Sequence, residues 1–313
     1  MHEWRCIKHV EPKARYRSLF DCSYLILSRW YQPGKYAKIF NESHKRNKKV
    51  FLHLDDFLFG VPKSIGIAKW AHYNSATMLD SLRETAHLAD GIISSTPRLT
   101  RAIHDIFPKL TIYTCPVYKT FAPPDHRVSG HYPRPYPVIG YMGTSSHKED
   151  LELICPAIDS AMKKNTTLVF ETFGLEMPAT LSDKYSNRCI ALDKVSSYRE
   201  FQALLLSRGW WLGLAPLTEN KFNNCKANTK LVEYIQAGVP VLASDFGPYQ
   251  GFPWTSTSKD SRNEQEWSEK IEEVLYSAAL RTNIYQQQVM YCENLGTADS
   301  LVEFYRSLNE VRR

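Results

Sequence analysis

The sequence predicts an α/β protein with two doubly wound domains. Short apolar runs alternate with helical patterns along most of the chain, which is typical of parallel sheets covered by helices on both faces. A proline-rich segment interrupts this alternation between residues 113 and 138, and prolines at that density exclude a long helix and a central strand. The length of 313 residues also exceeds what one ordinary core accommodates. The two halves are therefore expected to fold as separate domains.

In chain order, each half supplies its own strands and helices. The first half has predicted strands at 23–28, 49–56, 90–96 and 110–114, with helices at 33–48, 75–89 and 97–107. The second half has predicted strands at 137–143, 166–174, 189–194, 209–217 and 239–245, with helices at 147–164, 198–208 and 226–237. Ligands of open parallel sheets bind at the carboxyl ends of the strands. The polar residues that follow each strand are therefore the candidate site residues.

Charge is distributed unevenly along the chain. Residues 1–125 contain 19 Lys and Arg against 11 Asp and Glu, whereas residues 126–313 contain 20 against 22. The densest basic stretch, 35–49, fits either a solvated helix face or peripheral contact with an anionic membrane. The chain shows no zinc-knuckle, RNP-like or helix-turn-helix pattern, so nucleic acid is not an expected partner.

The length of the apolar runs and the spacing of the cysteines indicate the cellular compartment. No apolar run reaches 18 residues, and the charged N-terminal stretch lacks an apolar signal core. The seven cysteines are odd in number and include no C-x-x-C pair, which favours reduced thiols. The expected location is cytoplasmic, with peripheral contact at the inner face of the membrane left open.

Two lysines and a glutamate interrupt an otherwise apolar helix-and-strand pattern between Cys225 and Tyr249. On a helix over 226–237, Lys226, Lys230 and Glu233 share one stripe. Free amides and the helix dipole favour an anion at a helix start, and two ammonium groups make that place suitable for a diphosphate. A carboxylate one turn further can accept hydrogen bonds from ribose hydroxyls. The alternative is a solvent-facing stripe with an ion pair worth about 0.2–0.5 kcal/mol.

The same stretch resembles the nucleotide-binding motif of retaining glycosyltransferases of family 4, which have the GT-B fold of two Rossmann-type domains facing a central cleft. The match covers "EYIQAGVPVLAS", 233–244. Upstream residues look like the branch that builds bacterial surface polysaccharides such as O-antigen and capsule, namely Pro216, Leu217, Phe222 and Asn223. Two positions depart from the pattern. Ala227 replaces a serine, and Cys225 replaces the first glutamate of the family's Glu-x7-Glu motif.

The first turn of the second domain carries another match. The stretch "VIGYMGTSSHKEDL", 138–151, predicts a strand, a turn at Gly143 and a helix with Ser146 and Glu149 as a capping box. The turn amides and the hydroxyls of Thr144 and Ser145 can donate to an anion, and His147 can add a third donor. The G-T-x-x-H-x-x-D-L pattern is similar to the same polysaccharide branch. The alternative is an ordinary capped helix with polar surface residues.

Two adjacent aspartates, Asp55 and Asp56, end the second predicted strand. The resembled branch has an acidic pair here, which implies that one aspartate binds an acceptor or sugar hydroxyl, or assists the acceptor proton. Arg29 follows the first strand and is a candidate contact for an anionic acceptor. A single acidic pair without other ligands is a weak metal signal, so no cofactor is expected to be required, and a divalent metal is left open as the alternative. Turn or capping aspartates are the alternative.

The resemblance assigns roles and domain limits. It implies that a nucleotide-sugar donor binds Gly143, Thr144, His147, Lys226, Asn228, Lys230 and Glu233, with Lys226 also catalytic beside Asp55 and Asp56. It implies transfer, with retention, to a saccharide or lipid-linked glycan acceptor. The expected units are a shortened acceptor-side domain at 1–125, a linker at 126–137, a donor domain at 138–295 and, at 296–313, a helix that crosses back to the first domain.

Other functions on the same scaffold stay open. The short first domain and the missing glutamate also fit a non-catalytic GT-B subunit that acts as a binding or assembly partner. A sugar epimerase and an inverting transferase are further alternatives. A short first domain also fits a protein that depends on a membrane, on a lipid-linked acceptor or on a partner transferase chain to complete it.

Overall fold

The computed structural model describes residues 20–29, 33–115, 134–256, 264–296 and 298–310. Over these residues the chain forms two parallel sheets, one of four strands and one of six. The predicted linker enters this description only from residue 134, and the first 19 residues of the predicted first domain lie outside it.

The first sheet is built from the first half of the chain. Its strands are β1 (Tyr24–Ser28), β2 (Lys49–Leu54), β3 (Gly91–Ser94) and β4 (Ile112–Thr114). Its helices are α1 (Pro33–Lys45), α2 (Ile67–Tyr73), α3 (Ala76–Leu88) and α4 (Pro97–His104). Strand order follows the chain, so these four strands add in one direction, whereas a doubly wound sheet reverses its order.

The two faces of the first sheet are covered by different parts of the chain. Leu52 and Ile92 pack with residues of α3 and α4 in one apolar cluster. The last described helix, α13 (Ala298–Glu310), lies against the opposite face, where Leu308 packs with Phe51 and Ile93. The C-terminal end of the described chain therefore lies on the first sheet, not on the second.

The second sheet is doubly wound. Its strands are β5 (Val138–Met142), β6 (Val169–Phe173), β7 (Cys189–Leu192), β8 (Leu212–Ala215), β9 (Val241–Ser244) and β10 (Thr255–Ser256). The order is β10-β9-β8-β5-β6-β7, so the direction of addition reverses between β5 and β8. The carboxyl ends of strands at such a reversal form the crevice in which ligands of this architecture bind.

The second sheet is accompanied by eight helices within the described residues. They are α5 (Lys148–Glu152), α6 (Cys155–Lys164), α7 (Ala179–Ser182), α8 (Tyr198–Arg208), α9 (Lys221–Asn224), α10 (Thr229–Gln236), α11 (Glu264–Tyr276) and α12 (Ala278–Glu293). Among the helices of the described ranges, none combines the length and the apolar composition needed to cross a bilayer.

The predicted helix over 147–164 is wrong in two respects. It breaks after Glu152, and Pro156 explains the break because proline has no N–H to donate to the carbonyl four residues earlier, that of Glu152, and its ring clashes with this carbonyl in a continuous helix. The predicted capping box does not form, since the Ser146 hydroxyl bonds Thr144 Oγ1 at 2.8 Å. The helix begins instead at Lys148, and its N-cap residue His147 makes no side-chain capping bond.

Gly140, in the middle of β5, is required by close packing. A Cβ atom built on Gly140 would lie 2.0 Å from the ring of Trp210, whose side chain is fully buried. Trp210 cannot move freely, because its Nε1 donates to the buried Glu171 carboxylate at 2.7 Å. Any side chain at position 140 must therefore displace a constrained ring.

We expect Gly140→Ala to lower the free energy of unfolding by about 1–3 kcal/mol, the usual effect of overpacking a well-filled core. Urea unfolding followed by circular dichroism measures the change. Ala191→Val is the matched control, because Ala191 is an exposed residue of β7 and added methyl groups there should change stability by less than about 0.5 kcal/mol. Equal stability of the two variants would contradict the packing argument.

Candidate functional site

A cleft of about 1420 Å³ lies between the two sheets and is lined by residues from both. The first sheet contributes residues that follow its four strands, Arg29, Asp55, Asp56, Ser95 and Cys115. The second sheet contributes Gly143 after β5 and Gly174 after β6. The cleft therefore occupies the carboxyl ends of both sheets. Its volume exceeds the roughly 300–1,000 Å³ of ordinary small-molecule sites, which leaves room for two substrates.

Nine of the ten predicted site residues line this cleft. They are Arg29, Asp55, Asp56, Gly143, Thr144, His147, Lys226, Lys230 and Glu233. The tenth, Asn228, does not. It is 9% exposed, and its side chain bonds Tyr291 of α12. The structure therefore does not bring Asn228 together with the other nine, because its amide is used inside the second domain.

Lys230 lies in the first turn of α10. Its Nζ donates to Tyr141 Oη at 3.2 Å and lies 4.3 Å from the centre of that ring. Burial lowers the pKa of Lys230 to about 8. The charge of Asp150 opposes this change, and the charge of Lys226 adds to it. The ammonium group is thus poorly solvated and held in one place, which favours a strong interaction with an anionic ligand.

Lys226 occupies the cleft but does not belong to the helix, which corrects the prediction of a helix from 226. Helix α10 begins at Thr229, and Lys226 follows the short helix α9 in a turn. Burial of Phe222 explains the turn, since this ring packs into the first domain and lies 5.1 Å from Lys226 Nζ. Burial lowers the pKa of Lys226, while the charges of Asp150 and Asp56 oppose that change.

The start of α10 adds backbone donors beside these lysines. The Asn228 side chain does not cap the helix, so the first amides keep their capacity to donate. Thr229, the first residue of α10, lines the cleft. Two ammonium groups and the positive end of a helix dipole therefore face the same space, an arrangement suited to a diphosphate.

Glu233 lies one turn further along α10, on the same side of the cleft. Burial raises the pKa of Glu233 to about 7, and the opposing effects come from Lys230 and from a hydrogen bond with Tyr198. Tyr198 stacks on Phe201 with ring centres 5.9 Å apart, and both rings line the cleft. A carboxylate beside a stacked aromatic pair can accept hydrogen bonds from the hydroxyl groups of a nucleoside.

The Gly143 loop supplies fewer amides than predicted. The Gly143 N–H donates to the Phe173 carbonyl at 2.9 Å and is not available to a ligand. Gly143 packs closely against its neighbours, because a Cβ on it would lie 3.2 Å from the Tyr141 ring and 3.3 Å from His147 Cβ. The exposed hydroxyl of Thr144 remains a candidate donor to an anion.

Asp150 connects the Gly143 loop to the segment that leads to Lys226. Its carboxylate is 4% exposed and lies 2.9 Å from His147 Nδ1. The other oxygen accepts bonds from the Thr218 N–H at 2.8 Å and the Thr218 hydroxyl at 2.7 Å. Despite burial, these bonds lower the pKa of Asp150. The sequence motif contained Asp150, but nothing in it showed that this aspartate is buried.

The opposite wall carries Arg29, Asp55 and Asp56. Arg29 Nη2 lies 3.0 Å from Asp55 and 3.9 Å from Asp56, so the arginine charge is largely neutralised within the first domain. Burial raises the pKa of Asp56, with a further contribution from Asp55 and an opposing effect of Lys226. Asp55 Oδ1 is buried and bonds no other described residue, so it can accept a ligand hydroxyl.

The two domains touch through the segment just before Lys226. Phe222 and Cys225 belong to the apolar cluster of the first domain that also contains Phe57. The Thr96 hydroxyl donates to the Cys225 carbonyl at 2.9 Å. Cys225, which stands where the resembled family has a glutamate, is therefore part of an interdomain contact and does not line the cleft.

Metal ligands are not assembled in the described part of the chain. Among residues 20–29, 33–115, 134–256, 264–296 and 298–310, no three His, Cys, Asp or Glu side chains come together as a metal site.

Comparison with solved structures shows what the fold is similar to. A Staphylococcus aureus TarM complex with Fondaparinux, alpha-GlcNAc-glycerol and UDP matches with a TM-score of 0.63 at 16% identity, over 89% of this chain and 54% of that one. Anabaena HepE in complex with UDP and glucose matches with a TM-score of 0.62 at 12% identity, over 94% and 80%. A UDP-forming trehalose-phosphate synthase from Burkholderia xenovorans, in complex with glucose-6-phosphate, matches at 0.56 and 14%, over 85% and 69%.

These matches establish the fold. The chain spans only about half of TarM. No family model matches the sequence, and no curated protein resembles it in sequence. The predicted fold class is therefore confirmed: the chain has a GT-B-like fold.

Proposed function

We propose that this protein is a glycosyltransferase. It moves a sugar from a nucleotide-sugar donor to a saccharide or lipid-linked glycan acceptor, with retention of anomeric configuration. We further propose that it acts in the biosynthesis of a bacterial surface polysaccharide, as the sequence resemblance implies. Three proteins of similar fold were solved with UDP or with a sugar phosphate, which supports a nucleotide-sugar donor.

The proposal depends most on one observation. Lys226, Lys230 and the start of α10 converge on one wall of the cleft, opposite Asp55 and Asp56 on the other. Positive groups fixed in a poorly solvated place stabilise the negative charge that grows on a departing diphosphate. The facing carboxylates can bind the hydroxyls of an acceptor. The cleft between the two walls has room for a donor and an acceptor together.

A nucleotide titration followed by a donor screen tests the proposal. Calorimetry on the purified chain should show binding of UDP or GDP. Incubation with UDP-glucose, UDP-N-acetylglucosamine or GDP-mannose and simple saccharides should release the nucleoside diphosphate, and proton NMR of the product gives its anomeric configuration. Failure to bind any nucleoside diphosphate would end the proposal. Binding without turnover would favour the non-catalytic alternative.

The pKa of Lys230 leads to an expected pH dependence. A diphosphate binds the ammonium form, so its affinity is fully present well below pH 8 and is lost as the pH rises through the Lys230 pKa of about 8. We expect UDP affinity to fall about tenfold between pH 7 and 9, in proportion to the protonated fraction. Calorimetric titration at a series of pH values measures this loss.

The matched control for this prediction is Lys230→Arg. A guanidinium group stays charged throughout this pH range, so the affinity of the variant should change little between pH 7 and 9. A loss of the same size in both proteins would show that another group causes the pH dependence.

A further inference from the structure

One ring nitrogen of His147 contacts a buried carboxylate, and the other is available to bind a ligand. Its Nδ1 lies 2.9 Å from Asp150 Oδ2. Asp150 already accepts two hydrogen bonds from Thr218, which favours its ionised, accepting form. Because an ionised carboxylate can only accept, the proton of this contact must belong to His147 Nδ1.

The surroundings keep the ring neutral. His147 is largely enclosed, and Lys230 and Lys226 add positive charge nearby. Burial and Lys230 lower the pKa of His147 to about 4, although the bond to Asp150 opposes this change. A neutral ring that carries its proton on Nδ1 has a lone pair on Nε2. Within the described residues, no hydrogen bond to Nε2 is present, and the side chain lines the cleft.

The position of His147 indicates which part of a ligand it meets. The turn Ser145–His147 contacts Lys63–Ile65 of the first domain, so His147 lies on the side of the cleft that faces this domain. Glu233 lies instead beside Tyr198 of α8, a helix of the second domain. If a donor spans the lysine pair, its nucleoside lies towards Glu233 and its sugar towards His147 and the acceptor wall.

We propose that His147 is a specificity-determining residue that accepts a hydrogen bond from a hydroxyl of the transferred sugar, with Asp150 positioning its ring. This inference rests on the proposed function. It replaces the expectation that His147 donates to the diphosphate, because Nε2 of this tautomer has no proton to donate. A site of this kind favours sugars with a free hydroxyl at the matching position.

The tautomer can be measured without any ligand. Two-bond proton–nitrogen NMR spectra of protein labelled at histidine nitrogen distinguish a protonated Nδ1 from a protonated Nε2. We expect a protonated Nδ1 for His147 at pH 7, assigned by its absence in His147→Ala. Asp150→Asn should reverse the tautomer, since an amide group donates to Nδ1 while its oxygen still accepts from Thr218. A protonated Nε2, or a doubly protonated ring, in the wild type would overturn the proposal.

Binding of UDP-glucose and of UDP tests the ligand contact. His147→Ala should weaken UDP-glucose binding about three- to tenfold more than it weakens UDP binding, as expected for one neutral hydrogen bond. Asp150→Asn should change the ratio of the two affinities in the same direction. His104→Ala, at an exposed position of α4, is the control and should leave the ratio unchanged.

The outcomes separate this inference from the proposed function. If the wild type binds neither UDP nor GDP, the proposed nucleotide-sugar donor site fails, and the tautomer measurement still decides the state of His147. If UDP and UDP-glucose both bind but His147→Ala weakens them equally, the sugar contact is refuted while the donor site stands.

Discussion

Lys226→Ala should weaken UDP binding by about 10- to 150-fold. A hydrogen bond to a charged group contributes about 1.5–3 kcal/mol, and each 1.4 kcal/mol corresponds to a factor of ten in affinity. Lys226 is expected near the upper end of this range, because burial already lowers its pKa and its ammonium group has lost much of its hydration. Calorimetry at pH 7 and moderate ionic strength measures the affinity.

The control for this prediction removes the same charge from a neighbouring surface. Lys148 is exposed and pairs with Glu152 at 3.8 Å, so Lys148→Ala should change UDP affinity by less than twofold. Thermal unfolding of Lys226→Ala shows whether loss of its contact with the Phe222 ring affects the fold. A folded Lys226→Ala protein that binds UDP as tightly as the wild type would contradict the placement of the diphosphate.

Glu171→Ala should destabilise the second domain by about 3–5 kcal/mol, the usual cost of removing one partner from a buried ion pair. Glu171 is fully buried on β6. Its carboxylate lies 3.1 Å from Arg134 and 2.5 Å from Arg208, and it accepts the Trp210 Nε1 proton at 2.7 Å. Removing the carboxylate leaves two guanidinium groups without their counter-charge and one indole donor without its acceptor.

Urea unfolding followed by tryptophan fluorescence measures this loss, since Trp210 contacts the substituted position. Asp80→Ala is the control. Asp80 is exposed and pairs with Arg83 at 3.2 Å within one helix, so its removal should cost no more than about 0.5 kcal/mol. A cost below about 1 kcal/mol for Glu171→Ala would show that water or rearranged side chains replace the carboxylate.

Periodicity was sufficient to predict both sheets, whereas the cleft between them was expected only from the family resemblance. Apolar runs such as 49–54 and 241–244 correspond to β2 and β9 because burial on both faces requires continuous apolar sequence. The placement of Lys226 could not be predicted in this way. Its position in a turn depends on Phe222 entering the core of the other domain, a contact between segments more than 100 residues apart in sequence.

Polar residues inside the second domain were equally difficult to recognise from sequence. Asp150 and Glu171 look like solvent-exposed charges in the sequence, yet both are buried among partners that lie far along the chain. Asn228 is the reverse case, a residue that the sequence places in the cleft but that lies outside it. It stands between two cleft lysines in sequence, yet its amide bonds Tyr291. Side-chain direction depends on tertiary contacts that a helical stripe does not encode.

The packing of Phe222 and Cys225 against the first domain links the angle between the two domains to binding in the cleft. Phe222 and Cys225 pack into the apolar core of the first domain. Lys226, which follows directly in sequence, lines the cleft. A hinge motion that separates the two domains would withdraw Phe222 and Cys225 from the core of the first domain. The same motion would move the Lys226 ammonium group. Occupancy of the cleft and the angle between the lobes are thereby linked, and linkage is reciprocal. If the proposed function holds, we expect an acceptor that keeps the two domains together to raise the affinity for the nucleotide, and the nucleotide to raise the affinity for the acceptor by the same factor.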